Sequence, residues 1–162
     1  MNFRSTVAIA LLGNLAFMFP ASAAPTSNPL NSCPVTKRVY TAIGKPDYKA
    51  IFAAPPANST PDNKATVTLQ HTKRGNLGTF ALGQGQGYGT LYMTEQTPNS
   101  TQNKKREFIL LFFDSSLKAV QSPSSTYMHI VGLGVSDAYS QQNGSREYPL
   151  GDVMWQLSSC RK

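Results

Sequence analysis

Residues 65–72 read Ala-Thr-Val-Thr-Leu-Gln-His-Thr, and their strict alternation decides the fold class of the chain. In an extended strand successive side chains point to opposite faces. The apolar side chains and one imidazole therefore share one face: Ala65, Val67, Leu69 and His71. Threonine and glutamine occupy the other face, as is typical of an antiparallel sheet with one buried and one wet side. We predict a half-buried β-strand here.

The segments that follow extend this strand into an antiparallel meander. Residues 73–76, Lys-Arg-Gly-Asn, predict a turn. Residues 77–82 predict a second strand, and residues 90–95 a third with Leu91 and Met93 facing inward. Short turns between consecutive strands favour antiparallel pairing.

Further strands are predicted on both sides of the meander, over residues 37–43, 108–113, 127–135 and 153–158. Residues 108–113 are apolar at every position, which predicts that both faces of this strand are covered. In residues 127–135 the pattern places His129 inward together with the valines and leucine.

One short helix is predicted over residues 48–54. Pro46 and Asp47 precede it, and both residue types favour the first turn of a helix. Pro55 and Pro56 end it after about two turns, so it needs packing against a sheet to persist. An edge strand is the alternative for this segment.

About seven strands and one short helix, joined by turns, indicate a mainly β fold. We predict an antiparallel β-sandwich or barrel. The alternative is an α+β arrangement in which a curved antiparallel sheet packs on the helix.

The amino-terminal residues predict export. Arg4, the apolar run at residues 7–19 and the small residues 21–23 form the pattern of a cleavable signal peptide over residues 1–23. The apolar run is shorter than the roughly 20 residues that a membrane-spanning helix needs. We therefore expect a secreted or periplasmic protein with no transmembrane segment after removal of the leader.

After the leader, the sequence predicts an extended segment at residues 24–34 and a single β-rich domain at residues 35–162. Cys33 and Cys160 are the two cysteines of the chain. An oxidising compartment favours a disulfide between them. Two free or intermolecular thiols are the alternative.

The chain is basic, with 15 Lys and Arg against 8 Asp and Glu and a formal net charge of +7. Such a charge attracts polyanions such as nucleic acid, acidic polysaccharide or an anionic membrane surface, but it also promotes solubility. The run Lys104, Lys105, Arg106 is interpreted as charged gatekeepers of the apolar strand that follows, with a polyanion site as the alternative.

Every second residue from 83 to 89 is glycine. In an extended chain this leaves one face without side chains, and a flat ligand such as a sugar could stack there. The candidate binding residues are Gln84, Gln86, Tyr88 and Tyr92. A hairpin loop is the alternative. The spacing matches neither a phosphate-binding loop nor a dinucleotide fingerprint, so no nucleotide cofactor is predicted.

The histidines of the chain are His71 and His129. Together with Glu107 and either Arg74 or Arg106, two imidazoles could carry out acid and base steps on a phosphodiester. The alternative is that each histidine only closes the edge of the core. Histidine pairs at ligand spacing and clustered carboxylates are absent from the sequence, so no metal site is predicted.

These patterns favour a non-catalytic binding protein that recognises a glycan, a polyanion or a protein partner through its loops. The second hypothesis is a small secreted nuclease or other hydrolase that uses the two histidines and Glu107. The third is an assembly protein in which residues 108–113 pack against another subunit, which allows a monomer or a small homo-oligomer.

Overall fold

The computed structural model describes residues 29–85, 90–96, 105–120, 125–140 and 150–162. The strands in these residues are β1 Arg38–Ala42, β2 Lys45–Ala53, β3 Asn63–His71, β4 Gly75–Gln84, β5 Leu91–Glu95, β6 Glu107–Phe113, β7 Ala119–Val120, β8 Tyr127–Val131 and β9 Met154–Cys160. One α-helix, α1, covers Leu133–Ser140, and 3₁₀ turns cover Pro29–Ser32 and Val35–Lys37.

Eight of the strands form a closed antiparallel barrel. They follow one another in the order β5-β4-β3-β2-β1-β9-β8-β6. Pairing of β5 with β6, with Leu91 opposite Leu110, closes the ring. The short strand β7 adds a ninth strand beside the end of β6. The predicted mainly β fold is confirmed, and of the two predicted architectures it is the barrel.

The barrel interior is packed with large side chains. Almost every strand contributes at least one that is almost fully buried, among them Tyr40, Phe52, Leu69, Phe80, Met93, Phe112, Met128 and Trp155. Ring centroids of Phe80 and Phe108 lie 5.7 Å apart at an edge-to-face angle. An eight-stranded barrel can be filled by its own side chains or can hold one small ligand. In this protein the described strands bury large side chains inside the barrel.

The two chain ends of the domain are joined as predicted. Cys33 and Cys160 form a disulfide with their Cα atoms 5.8 Å apart. Cys160 is the last residue of β9 and lies opposite Arg38 on β1. The buried Arg38 donates from Nε to the carbonyl oxygen of Cys33 at 2.9 Å. The segment before the barrel is thus fixed to it both covalently and by hydrogen bonding.

The predicted helix over residues 48–54 is wrong. Residues 48–53 belong to β2, which lies between β1 and β3 and is not an edge strand. Tyr48, Ala50 and Phe52 are buried there and alternate with more exposed residues. The helix signals before Tyr48 are local, whereas pairing with two neighbouring strands stabilises the extended form along its whole length. A two-turn helix has no comparable stabilisation.

The helix occurs instead where residues 127–135 were predicted to continue as a strand. Strand β8 ends at Val131, and Gly132 follows with φ of +78°, a conformation that favours glycine. Gly134 then contacts the backbone of Gly151 and Asp152 so closely that a Cβ atom would collide with it. Among the described residues, no helix combines the length and the apolar character needed to cross a membrane.

Strand β6 exposes two of its six apolar side chains. Phe108, Leu110 and Phe112 face the interior, while Ile109 and Leu111 are 38% and 42% exposed. The described residues therefore cover one face of this strand, and cover of the other face by a partner chain or a ligand stays a prediction. Assembly through this strand stays a prediction.

The inward face of β8 is the opposite of the predicted one. Met128 and Ile130 are buried, so His129 and Val131 point outward. Both alternating sets of this strand contain apolar residues, and the set without the imidazole occupies the core. Val131 lies opposite Ile109 of β6, which gives the outside of these two strands an apolar character.

Candidate ligand-binding groove

A polar groove of about 310 Å³ lies where β2, β3 and β4 meet at one end of the barrel. This volume is at the lower end of the range for small-molecule sites. Its lining residues come from these strands and the turn between β3 and β4: Asp47, Lys49, Gln70, His71, Thr72, Gly75 and Asn76.

A row of three polar side chains crosses the groove. Lys49 of β2 lies opposite Gln70 of β3, and Gln70 lies opposite Asn76 of β4. All three residues are exposed, because they alternate with residues that face the core. Adjacent strands are about 4.8 Å apart, so the row extends roughly 10 Å across the barrel wall.

Two groups of the groove are held in place by hydrogen bonds. The Thr72 hydroxyl donates to Oδ1 of Asp47 at 2.7 Å, and the Thr72 N–H donates to the Asp47 carbonyl at 3.1 Å. Oδ1 of Asn76 accepts from the Gly78 N–H at 2.9 Å. Within the described residues, by contrast, the side chains of Lys49 and Gln70 make no hydrogen bond. The groove thus combines fixed and available polar groups.

His71 forms part of the groove wall although it is only 3% exposed. Its Nδ1 accepts the backbone N–H groups of Lys73 and Arg74 at 3.2 and 3.1 Å. In the neutral imidazole the ring proton therefore lies on Nε2. The ring centroid is 4.4 Å from that of Tyr48. His71 is held rigidly by the β3–β4 turn and by Tyr48.

Arg74 links this turn to α1. Its Nη2 lies 2.8 Å from Oδ1 of Asp137, and its Nη1 donates to the Tyr48 hydroxyl at 3.0 Å. Burial lowers the pKa of Arg74, but the hydrogen bonds to Asp137 and Tyr48 outweigh it, so the net pKa is raised. Burial is also the main cause that raises the pKa of Tyr48. Because a carboxylate already neutralises Arg74, this guanidinium is poorly placed to bind an anionic substrate.

Arg106, the other predicted cationic group of an acid–base site, is also neutralised. It contacts Glu95 at 2.6 Å from Nη2 and at 2.9 Å from Nε, and it lies over the Phe80 ring. The hydrogen bonds from Arg106 lower the pKa of Glu95, against the opposing effect of burial. Glu107 points outward and accepts a hydrogen bond from the Thr94 hydroxyl at 3.3 Å.

The structure does not bring His71 and His129 together. They lie on β3 and β8, which are four strands apart in either direction around the barrel. His71 faces the interior, whereas His129 points outward with Nδ1 3.2 Å from the Val153 carbonyl oxygen. The predicted acid–base constellation of two histidines and Glu107 therefore does not converge on one cleft.

The predicted glycine and tyrosine site is only partly described, because Gln86, Tyr88 and Lys104 lie outside the described residues. The ring of Tyr92 covers Gly85 so closely that a Cβ atom there would collide with it. The chain's own tyrosine thus occupies this part of the bare face. Gln84 and Lys105 are both exposed.

These predicted residues are remote from the groove. Gln84 is at the opposite end of β4 from Gly75, nine residues away, which corresponds to roughly 30 Å along the strand. Among the described residues there is also no group of three or more His, Cys, Asp or Glu side chains arranged to hold a metal ion.

Sequence reasoning did not predict the groove itself. Two of its outward residues, Gln70 and Thr72, were visible as polar positions of the strand 65–72, but polar residues on the solvent-facing side of a strand are ordinary. What marks the groove is that Lys49 and Asn76 flank Gln70 on the neighbouring strands. That arrangement can be recognised only when residues 48–53 are identified as part of a strand.

Comparisons with protein-family models, with curated proteins and with solved structures found no match.

Proposed function

We propose that this protein is an exported, non-catalytic binding protein that holds a glycan unit in the polar groove. The observation that carries the proposal is the position of two available groups, Lys49 and Gln70, beside a fixed carboxylate and a fixed amide around one cavity. Export rests on the predicted leader, and the disulfide between Cys33 and Cys160 is compatible with it.

The chemistry of the groove suits a sugar. Sugar hydroxyls both donate and accept hydrogen bonds, and a primary amide such as that of Gln70 can satisfy both roles. A carboxylate such as Asp47 accepts from further hydroxyls. The lining residues belong to paired strands and a tight turn, so the site is largely formed before a ligand arrives.

Several contacts favour binding over hydrolysis. Arg74 and Arg106 are each engaged by a carboxylate, and His71 and His129 face away from each other on opposite walls. An acid–base mechanism needs its groups within hydrogen-bond reach of one substrate. A binding site makes no such demand.

Titration of the protein with a panel of soluble oligosaccharides, followed by backbone amide chemical shifts, tests the proposal. We expect saturable shifts centred on the groove with at least one glycan class. Gln70→Ala should weaken that binding about fivefold, which corresponds to one net hydrogen bond of about 1 kcal/mol.

Gln156→Ala is the matched control, because Gln156 is also an exposed strand residue but lies on β9, outside the groove. Its affinity should equal that of the wild type. An absence of saturable shifts with every glycan, or equal affinities of folded Gln70→Ala and wild type, would overturn the proposal.

A further inference from the structure

We infer that the sugar bound in the groove carries a carboxylate, as a uronic acid does, and that the Lys49 ammonium group pairs with it. This inference rests on the proposed function and adds to it the chemical class of the ligand.

The charge of Lys49 is not neutralised by the described protein. Lys49 is exposed on the outer face of β2 and forms neither an ion pair nor a side-chain hydrogen bond with described residues. Arg74, a further cation near the groove, is bound to Asp137. Among the described residues that line the groove, the positive charge available to a ligand is therefore that of Lys49.

The one carboxylate among the lining residues does not cancel this charge by contact. Asp47 lies two residues before Lys49 on the same side of β2, but its Oδ1 accepts from the Thr72 hydroxyl. That bond turns Oδ1 toward β3 and leaves Oδ2 as an acceptor for a sugar hydroxyl. Lysine and aspartate thus offer separate positions to a ligand.

The surroundings of the groove favour an anionic partner. Lys45 precedes Asp47 on β2, and Lys73 lies in the turn between β3 and β4. Both lysines have interactions of their own within the protein, so neither is counted here as a charge open to a ligand. The chain as a whole carries a formal net charge of +7, and a net charge raises the concentration and association rate of ligands of the opposite sign.

A single carboxylate fits the groove better than a phosphate or sulfate ester. Phosphate sites commonly use forked guanidinium groups or the N–H groups at a helix amino terminus. The groove instead provides one available ammonium group and the amides of Gln70 and Asn76. One charge matches one carboxylate, and the amides match the hydroxyls of the same ring.

The test uses two probes that differ only at the carboxylate: a short oligogalacturonate and the same oligomer as its methyl ester. Affinities are measured by calorimetry and by amide shifts at 20 mM and 200 mM NaCl. At the lower salt concentration we expect the acid to bind about fivefold more tightly than the ester, the gain typical of an exposed ion pair. At the higher concentration the difference should shrink, because the charges are screened.

Lys49→Gln removes the charge but keeps a polar side chain of similar reach, so it should abolish the preference of the groove for the acid over the ester. Lys64→Gln is the control, because Lys64 is an exposed lysine at the far end of β3. It should keep the full preference.

Equal affinities of the acid and the ester, with shifts in the groove, would overturn the inference and leave the proposed function standing. An equal loss of preference in Lys49→Gln and Lys64→Gln would also overturn it, because the attraction would then be diffuse. Tighter binding of a sulfated than of a carboxylated oligomer would also overturn the inference that the ligand carries a carboxylate. The absence of groove shifts with either form would contradict the proposed function itself.

Discussion

Arg74 and Asp137 form an ion pair across 63 residues of sequence, with Nη2 of Arg74 2.8 Å from Oδ1 of Asp137. The second carboxylate oxygen of Asp137 accepts the backbone N–H of Leu150 at 3.1 Å. One carboxylate therefore joins the turn between β3 and β4, the helix α1 and the segment that leads into β9. These contacts hold the helix over one end of the barrel, where Leu133 and Leu150 are buried.

Asp137→Asn should destabilise the fold by about 2 kcal/mol, because it leaves the Arg74 charge without its partner and weakens hydrogen bonds to a charged group. Chemical denaturation measures the change in the free energy of unfolding. Asp62→Asn, at an exposed turn residue, is the control and should change this free energy by less than about 0.5 kcal/mol. Equal effects of the two substitutions would show that the ion pair contributes nothing.

The contact between Glu95 and Arg106 should make stability depend on acid pH. Hydrogen bonds from Arg106 hold the pKa of Glu95 below its ordinary value of 4.5, against the effect of burial. In the unfolded chain the pKa returns to the ordinary value, so unfolding takes up a proton at low pH. The stabilisation is thus complete above the ordinary value and is lost as the pH falls through the lower folded value.

Melting temperatures between pH 7 and pH 3 measure this effect. Glu95→Gln should remove part of the loss seen on acidification, whereas Glu107→Gln, at the neighbouring exposed glutamate, should not. A Glu95→Gln curve parallel to that of the wild type would contradict the prediction.

Reduction of the disulfide between Cys33 and Cys160 should lower the free energy of unfolding by about 4 to 5 kcal/mol, since it releases a very long loop in the unfolded chain. Denaturation with and without reductant measures the difference. The Cys33→Ser, Cys160→Ser double variant should resemble the reduced protein and not respond to reductant. A response of the double variant would point to an effect of the reductant itself.

Truncation of two adjacent leucines of β6 should lower the free energy of unfolding by very different amounts. Leu110 is 2% exposed and lies in the core, so Leu110→Ala should cost about 2 to 5 kcal/mol. Leu111 points outward, so Leu111→Ala should cost less than about 1 kcal/mol. Denaturation at several protein concentrations makes the comparison. A large and concentration-dependent loss for Leu111→Ala would mean that another subunit covers this face.

The sequence was most informative where the alternation of apolar and polar residues allowed only one choice of inward-facing side chains. In residues 65–72 one alternating set is apolar and the other polar, and the strand is found as β3 with the predicted inward residues. In β8 both sets contain apolar residues, so the pattern could not decide between Met128 and His129 as the inward residue. In β2 the local helix signals of Pro46 and Asp47 compete with pairing to β3, which the sequence does not display.

The groove could not be predicted from the sequence for a related reason. It depends on the register that sets Lys49, Gln70 and Asn76 side by side, and register is a property of paired strands. His71 and Arg74 were recognised as notable, but their partners were not. The carboxylate that engages Arg74 comes from a helix that no local pattern indicated.

The closed ring of strands places the groove and the outer surface of β8 on opposite sides of the molecule, so a contact made on one does not block the other. The groove lies on β2, β3 and β4, whereas His129 and Val131 lie on the outer surface of β8, across the barrel. Immobilisation of the protein through a tag or cross-link placed on β8 would leave the groove open to solution. A sensor surface built this way would present every molecule with the same orientation toward its ligand.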